Sequence, residues 1–210
     1  MMTILKSNID KAEIAEMETA CFGGRIIVLQ SPGEAEKAVR YLMGQSYVGI
    51  DTETRPSFRR GKSFAVSLLQ VSTDDTCFLF RLPQTGFTEG IKQFFQASAP
   101  VKIGLSLRDD FARLHTSCDF EPHGYLELQQ SVAQMGIEAQ SLQKVFAILF
   151  GQRISKSQRL SNWEADVLTD AQKLYAATDA WACVRIYEEL QRLQAEGYSV
   201  ENPKSIVSFE

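Results

Sequence analysis

Three stretches of this chain place acidic side chains among apolar neighbours. Val48-Gly49-Ile50-Asp51-Thr52-Glu53 has the pattern of a strand, so Asp51 and Glu53 point to the same side. Carboxylates one pleat apart repel each other. In a strand that begins apolar they need an open sheet edge or a bound cation, and an all-oxygen pair suits a hard divalent one. In the helical pattern of residues 170–196, Tyr175 and Asp179 lie four residues apart and share a face with Ala182, Ile186, Leu190 and Leu193. A carboxylate on an apolar stripe needs a partner, and a tyrosine one turn away supplies one. In residues 102–114 a short strand runs into a helix whose apolar face is Leu107, Phe111 and Leu114, with Asp110 beside it. Asp109 lies roughly 100° further round, towards solvent.

Each feature also has an ordinary explanation. A strand-end Asp-x-Glu can be solvated, Asp179 can cap a loop or pair with an arginine, and Asp110 in a first turn complements the helix dipole. The basic residues favour a shared role. Arg55, Arg59, Arg60 and Lys62 follow the Asp-x-Glu strand with Phe58 among them, Arg108 and Arg113 flank Asp110, and Arg153, Lys156 and Arg159 precede the last helix. All neighbour the carboxylates in a chain whose net charge is −4. That arrangement suits an anionic substrate held through its phosphates around a metal centre.

Other chemistries lack their residues. The sequence has no P-loop, no GxGxxG and no HExxH, and His115 and His123 have no partners at zinc spacing. No serine-hydrolase elbow is present. The four cysteines form no CxxC pair, which indicates reduced thiols rather than a disulfide framework or zinc site. The N-terminus has no apolar leader, and no apolar run reaches the roughly 18–20 residues of a membrane span. The expectation is a cytoplasmic protein with no membrane partner. The mild acidity speaks against a general nucleic-acid coat protein.

The elements that position these residues can be read from pattern. The length of 210 residues fits one domain. Residues 4–19 read as an accessory N-terminal helix within a segment 1–24. A core of 25–196 follows, and then an irregular tail of 197–210 containing Pro203. Residues 25–30 read as a strand, and Ser31-Pro32-Gly33-Glu34 opens a helix with a capping-box spacing. Residues 47–53, 64–71 and 76–80 form an antiparallel meander turned at Thr73-Asp74-Asp75. A strand at 101–104 sits among helices at 88–96, 107–115, 126–135, 142–150 and 170–196, the last ended by Gly197. The whole is one α/β domain with a mixed sheet.

Together these segments resemble the DEDDy exonucleases, the RNase D and Werner-exonuclease group. The motifs are Asp51-Thr52-Glu53 in YVGIDTE, Asp110 in KIGLSLRDDFARL, and Tyr175 with Asp179 in LTDAQKLYAATDAWACVRIYEEL. VSLLQ (66–70), SLQKVFAILFG (141–151) and KSQRLSNW (156–163) add to the likeness, which covers residues 25–193. One departure is Ser106, where many relatives have Asn four residues before the second-motif aspartate. The resemblance implies an RNase H-like fold, a mixed central sheet flanked by helices, and two Mg²⁺ or Mn²⁺ ions about 3.5–4 Å apart. It implies that Asp51 bridges both ions, that Glu53 and Asp179 complete the first site, and that Asp110 supports the second. It further implies that Glu53 contacts the terminal 3′-OH and that Tyr175 orients the attacking water. Thr52, Arg55, Arg59, Arg60, Lys62, Ser106, Arg108 and Lys156 are the expected substrate contacts. The implied activity is 3′-5′ exonucleolytic release of nucleoside 5′-monophosphates. The Werner-like third motif favours DNA. RNase D-like RNA trimming is the alternative, and a catalytically silent nucleic-acid-binding module the remote one.

Overall fold

Residues 3–57 and 64–201 are described in the structure, a computed structural model. In chain order the elements are β1 (Thr3–Lys6), α1 (Lys11–Ala15), β2 (Arg25–Leu29), α2 (Pro32–Leu42), β3 (Tyr47–Thr54), β4 (Val66–Ser72), β5 (Thr76–Arg81) and α3 (Leu82–Thr85). Then follow α4 (Glu89–Gln96), β6 (Val101–Gly104), α5 (Leu107–Leu114), β7 (Tyr125–Glu127), α6 (Leu128–Gln134), α7 (Leu142–Phe150), α8 (Asp170–Glu196) and β8 (Tyr198–Glu201).

The meander forms as its pattern requires. β3, β4 and β5 pair antiparallel, with Asp51 opposite Gln70 and Gln70 opposite Leu79. Thr73 closes the β4–β5 turn by accepting the Thr76 N–H on its hydroxyl at 3.1 Å. β2 and β6 add in parallel at the two sides, and β7 extends the sheet beyond β6, giving the six-stranded order β2-β5-β4-β3-β6-β7. This is a mixed sheet between helical layers.

Strand alternation sends the two sides of the sheet to different cores. Val48, Ile50, Leu69, Val71, Phe78 and Phe80 meet α2, α4 and α5 in one apolar cluster. Leu68, Cys77 and Leu79 meet the alanines of α8 (Ala176, Ala177 and Ala180) on the other side. A third cluster joins α6, α7 and the later half of α8 through Val132, Phe146, Ile186 and Leu190. The start of α8 is set by a complete capping box, with the Thr169 hydroxyl accepting from Gln172 N and the Gln172 side chain accepting in return. α2 begins the same way at Ser31 and Glu34. Gly49 lets α8 lie directly on β3: a Cβ there would stand 2.0 Å from the Ala180 carbonyl oxygen.

Three expectations need correction. Residues 4–19 do not form one helix. Thr3–Lys6 is a strand paired in parallel with Tyr198–Glu201, and only Lys11–Ala15 is helical. The pairing also corrects the C-terminal tail, which starts as strand β8, while residues 202–210 lie outside the described residues. The alternation of four-residue strands is too short to separate from helical spacing without knowing the partner, and here each is the other's partner. Likewise residues 125–127 pair with β6 as β7, so the helix expected from 126 starts at Leu128. Among the described residues no helix is long and apolar enough to cross a membrane.

Candidate active site

Asp51 and Glu53 project from the same side of β3, and the pairing of β3 with β4 shifts register just after them, between Glu53 and Thr54. The close seat of α8 on Gly49 brings in Asp179, the residue before Ala180. One carboxylate oxygen from each of Asp51, Glu53 and Asp179 lies within 4.8 Å of the others. Asp110 reaches the same region from the first turn of α5, where its Oδ1 accepts from the Thr52 hydroxyl at 2.5 Å. It stands outside the three-oxygen cluster. Even so, after burial it is the neighbour that most opposes ionisation of Asp51.

Among the described residues the acids are held together with cations near them and none paired to them. Burial first, and then Asp110, Asp179 and Glu53, push Asp51 well above the ordinary carboxylate range. Burial and then Asp179 and Asp110 raise Glu53 to about 8. Burial raises Asp110 to about 6 against the Thr52 hydrogen bond, and Asp179 to about 7 against the hydrogen bond from Tyr175. The Tyr175 hydroxyl is itself pushed far up, by burial and then by Asp179 and Glu53, so it stays protonated. Arg113 and Arg159 favour the charged form of Glu53 and Lys156 that of Asp179, yet among the described residues none of the four carboxylates forms an ion pair. Uncompensated carboxylates in a half-buried pocket are costly, and hard divalent cations bound through oxygen relieve that cost. An all-carboxylate donor set without histidine or cysteine fits such ions.

Glu53 joins the cluster to a cleft of about 560 Å³ that it lines with Arg55, Phe64, Arg113, Arg159 and Leu160. Acid at the floor and arginine at the walls is the arrangement a phosphodiester would require.

Comparison with known proteins agrees with this geometry. A family model described as 3′-5′ exonuclease matches residues 26–194. The chain belongs to that exonuclease family. It is 33% identical over 153 residues to the mouse (Mus musculus) bifunctional 3′-5′ exonuclease/ATP-dependent helicase WRN, covering 70% of this chain and 11% of that protein. It is 28% identical over 188 residues to a 3′-5′ exonuclease of Arabidopsis thaliana, covering 82% of this chain and 65% of the relative. Ribonuclease D of Xanthomonas oryzae pv. oryzae is 25% identical over 152 residues, 71% of this chain and 41% of that protein. The chain thus spans less than two-thirds of each of these relatives. Among solved structures, the Nibbler EXO domain of Aedes aegypti superposes with a TM-score of 0.74 at 19% identity, covering 83% of this chain and 91% of that one. Trypanosoma brucei RNase D in complex with RNA U12 gives 0.71 at 17%, covering 88% and 75%. These likenesses show the RNase H-like exonuclease fold.

Within this exonuclease framework the expected substrate contacts separate. Arg55 lines the cleft, pairs with Glu164 at 3.0 Å and lies over the Phe64 ring at 5.1 Å. Lys156 faces Asp179 electrostatically. The Thr52 hydroxyl is committed to Asp110. Ser106 stands at the N-cap position of α5 in a left-handed conformation (φ 67°), and its side chain makes no capping hydrogen bond. Arg108 does not line the carboxylate cleft. It lines a separate groove of about 460 Å³ with Phe111, His115, Tyr125 and Glu127. Phe58, Arg59, Arg60 and Lys62 lie outside the described residues.

Two supporting residues went unread in the sequence. The Glu127 carboxylate accepts from Ser106 N at 2.9 Å and Leu107 N at 2.7 Å, holding the start of the helix that carries Asp110, and from Gln129 N at 3.1 Å at the start of α6. Arg81, only 2% exposed, donates to the Ala165 and Asp166 carbonyls and so ties down the loop ahead of α8, where Trp163 packs on the Tyr175 ring at 6.0 Å. A charged residue ending the apolar run TCFLFR signalled Arg81. Nothing local signalled that Glu127 holds the start of α5, whose N–H groups lie far back along the chain.

Proposed function

We propose that this chain is a metal-dependent 3′-5′ exonuclease that releases nucleoside 5′-monophosphates, with residues 25–196 as the catalytic unit, acting in the cytoplasm. The observation that carries the reading is the meeting of Asp51, Glu53 and Asp179 oxygens within 4.8 Å, with Asp110 beside them and, among the described residues, no ion pair to any of the four. Asp51, Glu53 and Asp179 would hold one Mg²⁺ or Mn²⁺, and Asp51 with Asp110 a second. When bound, such ions stabilise the attacking and leaving oxygens of an in-line displacement at phosphorus.

The chain's own groups do the rest. Tyr175 remains protonated and gives its one proton to Asp179, so its oxygen orients the attacking water by accepting from it and does not act as a base. Its hydrogen bond also keeps Asp179 directed into the cluster. Arg113 and Arg159 on the cleft wall hold the phosphate charge, and Leu160 and Phe64 offer apolar surface to the terminal base. Glu53, both in the cluster and on the cleft wall, is placed to contact the terminal 3′-OH, which restricts cleavage to ends.

DNA is the favoured substrate, supported by the higher identity to the helicase-linked exonuclease than to ribonuclease D. RNA is the second reading, supported by the fold shared with RNase D in its RNA complex. End-labelled single- and double-stranded DNA and RNA, incubated with Mg²⁺, Mn²⁺ or chelator, test all of this. The expected result is a ladder shortening from the 3′ end that disappears with chelator and in Asp51→Ala and Asp179→Ala. Tyr175→Phe lowers kcat about tenfold or more with little change in binding, a loss of at least about 1.4 kcal/mol. Full activity in Asp179→Ala overturns the site, and binding without cleavage would assign the chain to silent modules on the same fold.

A further inference from the structure

Residues 3–24 precede the stretch matched by the exonuclease family, yet they are firmly docked beside the active site. Ile9 and Ile14 bury against Ala147 of α7. The Asn8 side chain accepts from Lys144 Nζ at 2.9 Å. Further along, Ala20 N donates to the Arg153 carbonyl at 2.8 Å, Arg153 N donates to Glu18 at 2.9 Å, and Arg153 Nε reaches the Thr19 hydroxyl at 3.0 Å. Phe22 N donates to the hydroxyl of Thr178, the residue before Asp179, at 3.1 Å.

The segment is therefore clamped at one end to Lys144 and at the other to the loop of Arg153, Lys156 and Arg159. Lys11 lies between the clamps. Lys11, Lys156 and Arg159 are exposed, and Lys144 is half-buried. Among the described residues none of these four cations is in an ion pair, whereas Lys6, Arg55, Lys173, Arg185 and Arg192 all are. Burial, then Arg159 and Lys11, hold Lys156 below the usual lysine range, with Lys144 adding to them and Asp179 pulling the other way. Unpaired like charges crowded in an acidic chain are relieved by a polyanion.

We propose that the N-terminal segment extends the substrate site: Lys11, with Lys144, Lys156 and Arg159, forms a basic track that holds the backbone phosphates of the nucleic-acid strand as it leaves the carboxylate cleft. The inference rests on the exonuclease reading for its ligand and adds a second stretch of phosphate contact to it. Such contact carries no base information and acts through KM.

The test uses the full chain and its Lys11→Ala, Lys11→Glu and Lys11→Arg variants. Cleavage of a long single strand and of a dinucleotide is followed across salt concentrations. Loss of one phosphate contact lowers the salt slope of log kcat/KM on the long strand by about 0.7. The ratio of kcat/KM between long and short substrate falls about threefold to tenfold in Lys11→Ala, up to about 1.4 kcal/mol. It falls further in Lys11→Glu and recovers in Lys11→Arg, with the change in KM. An unchanged salt slope, or equal losses on both substrates, overturns the track. Anisotropy of a labelled oligonucleotide in chelator separates the two claims. If the wild-type chain does not cut, the exonuclease reading fails, while weaker, less salt-sensitive binding by Lys11→Ala still supports the track and unchanged binding refutes it.

Discussion

The two faces of β3 are made from alternate residues of one strand and are built on opposite terms. Val48 and Ile50 face a closed apolar core in which Phe95, fully buried, contacts the rings of Phe87, Phe94, Phe111 and Phe120. Gly49, Asp51 and Glu53 face α8, whose alanines cover the neighbouring strands while Gln70, opposite Asp51, is fully buried. The first face gains about 1.5–3 kcal/mol for each large apolar side chain it removes from water. The second gives up part of that gain, because crowded carboxylates resist burial and small residues bury little area. The difference teaches that the large apolar side chains of the first face and the clusters around α8 carry the packing, which leaves the acids of β3 free to stay crowded.

The sharpest way to break the contrast is to substitute both sides. Phe95→Ala should cost about 3–5 kcal/mol in urea unfolding while the folded fraction keeps its cleavage rate. Asp51→Asn should do the reverse, abolishing cleavage and raising the stability of the metal-free protein by about 1–2 kcal/mol. A destabilised Asp51→Asn would show that the acids are not under strain.

A smaller effect appears with pH. Asp110 and Asp179 are raised from 3.8 to about 6 and about 7, and Glu53 from 4.5 to about 8. The folded state therefore binds more protons than the unfolded chain, and the stability these groups contribute is complete below about pH 4 and lost as pH rises through 6 to 8. Thermal melts with chelator should show Tm falling across that window, and Mg²⁺ or Mn²⁺ should restore it by binding only the folded state. A metal-free Tm that rises from pH 5 to 8 would contradict the raised values.

The smallest effect concerns positioning. Glu127→Ala should cost about 1–2 kcal/mol as a lost cap of α5 and lower kcat more than it raises KM, because Asp110 is displaced while the cleft wall stays. Glu127→Gln, which retains one acceptor, should recover part of the rate. Equal activity in the alanine variant would remove Glu127 from the site's support.

Much of the carboxylate cluster was legible because its signals are local. Alternation put Asp51 and Glu53 on one side, helical spacing put Tyr175 and Asp179 on one face, and both placements recur in the structure. Capping residues marked the start of α2 to the residue. What stayed hidden depended on partners far along the chain. β1 and β8 are strands only because each supplies the other's hydrogen bonds, β7 exists because β6 is beside it, and Glu127 acts through N–H groups on a different helix.

The sequence by itself determined which side chains the proposed chemistry would draw on, since periodicity and the order of the motifs are properties of neighbouring residues. Only the tertiary structure decided that Arg108 lies in a groove apart from the cleft, that Thr52 holds Asp110, and that Lys11 comes near enough to act on Lys156 through its charge. The physical reason is that direction and distance between elements come from packing, such as the contact Gly49 permits with Ala180, and no local pattern records the partner across that contact.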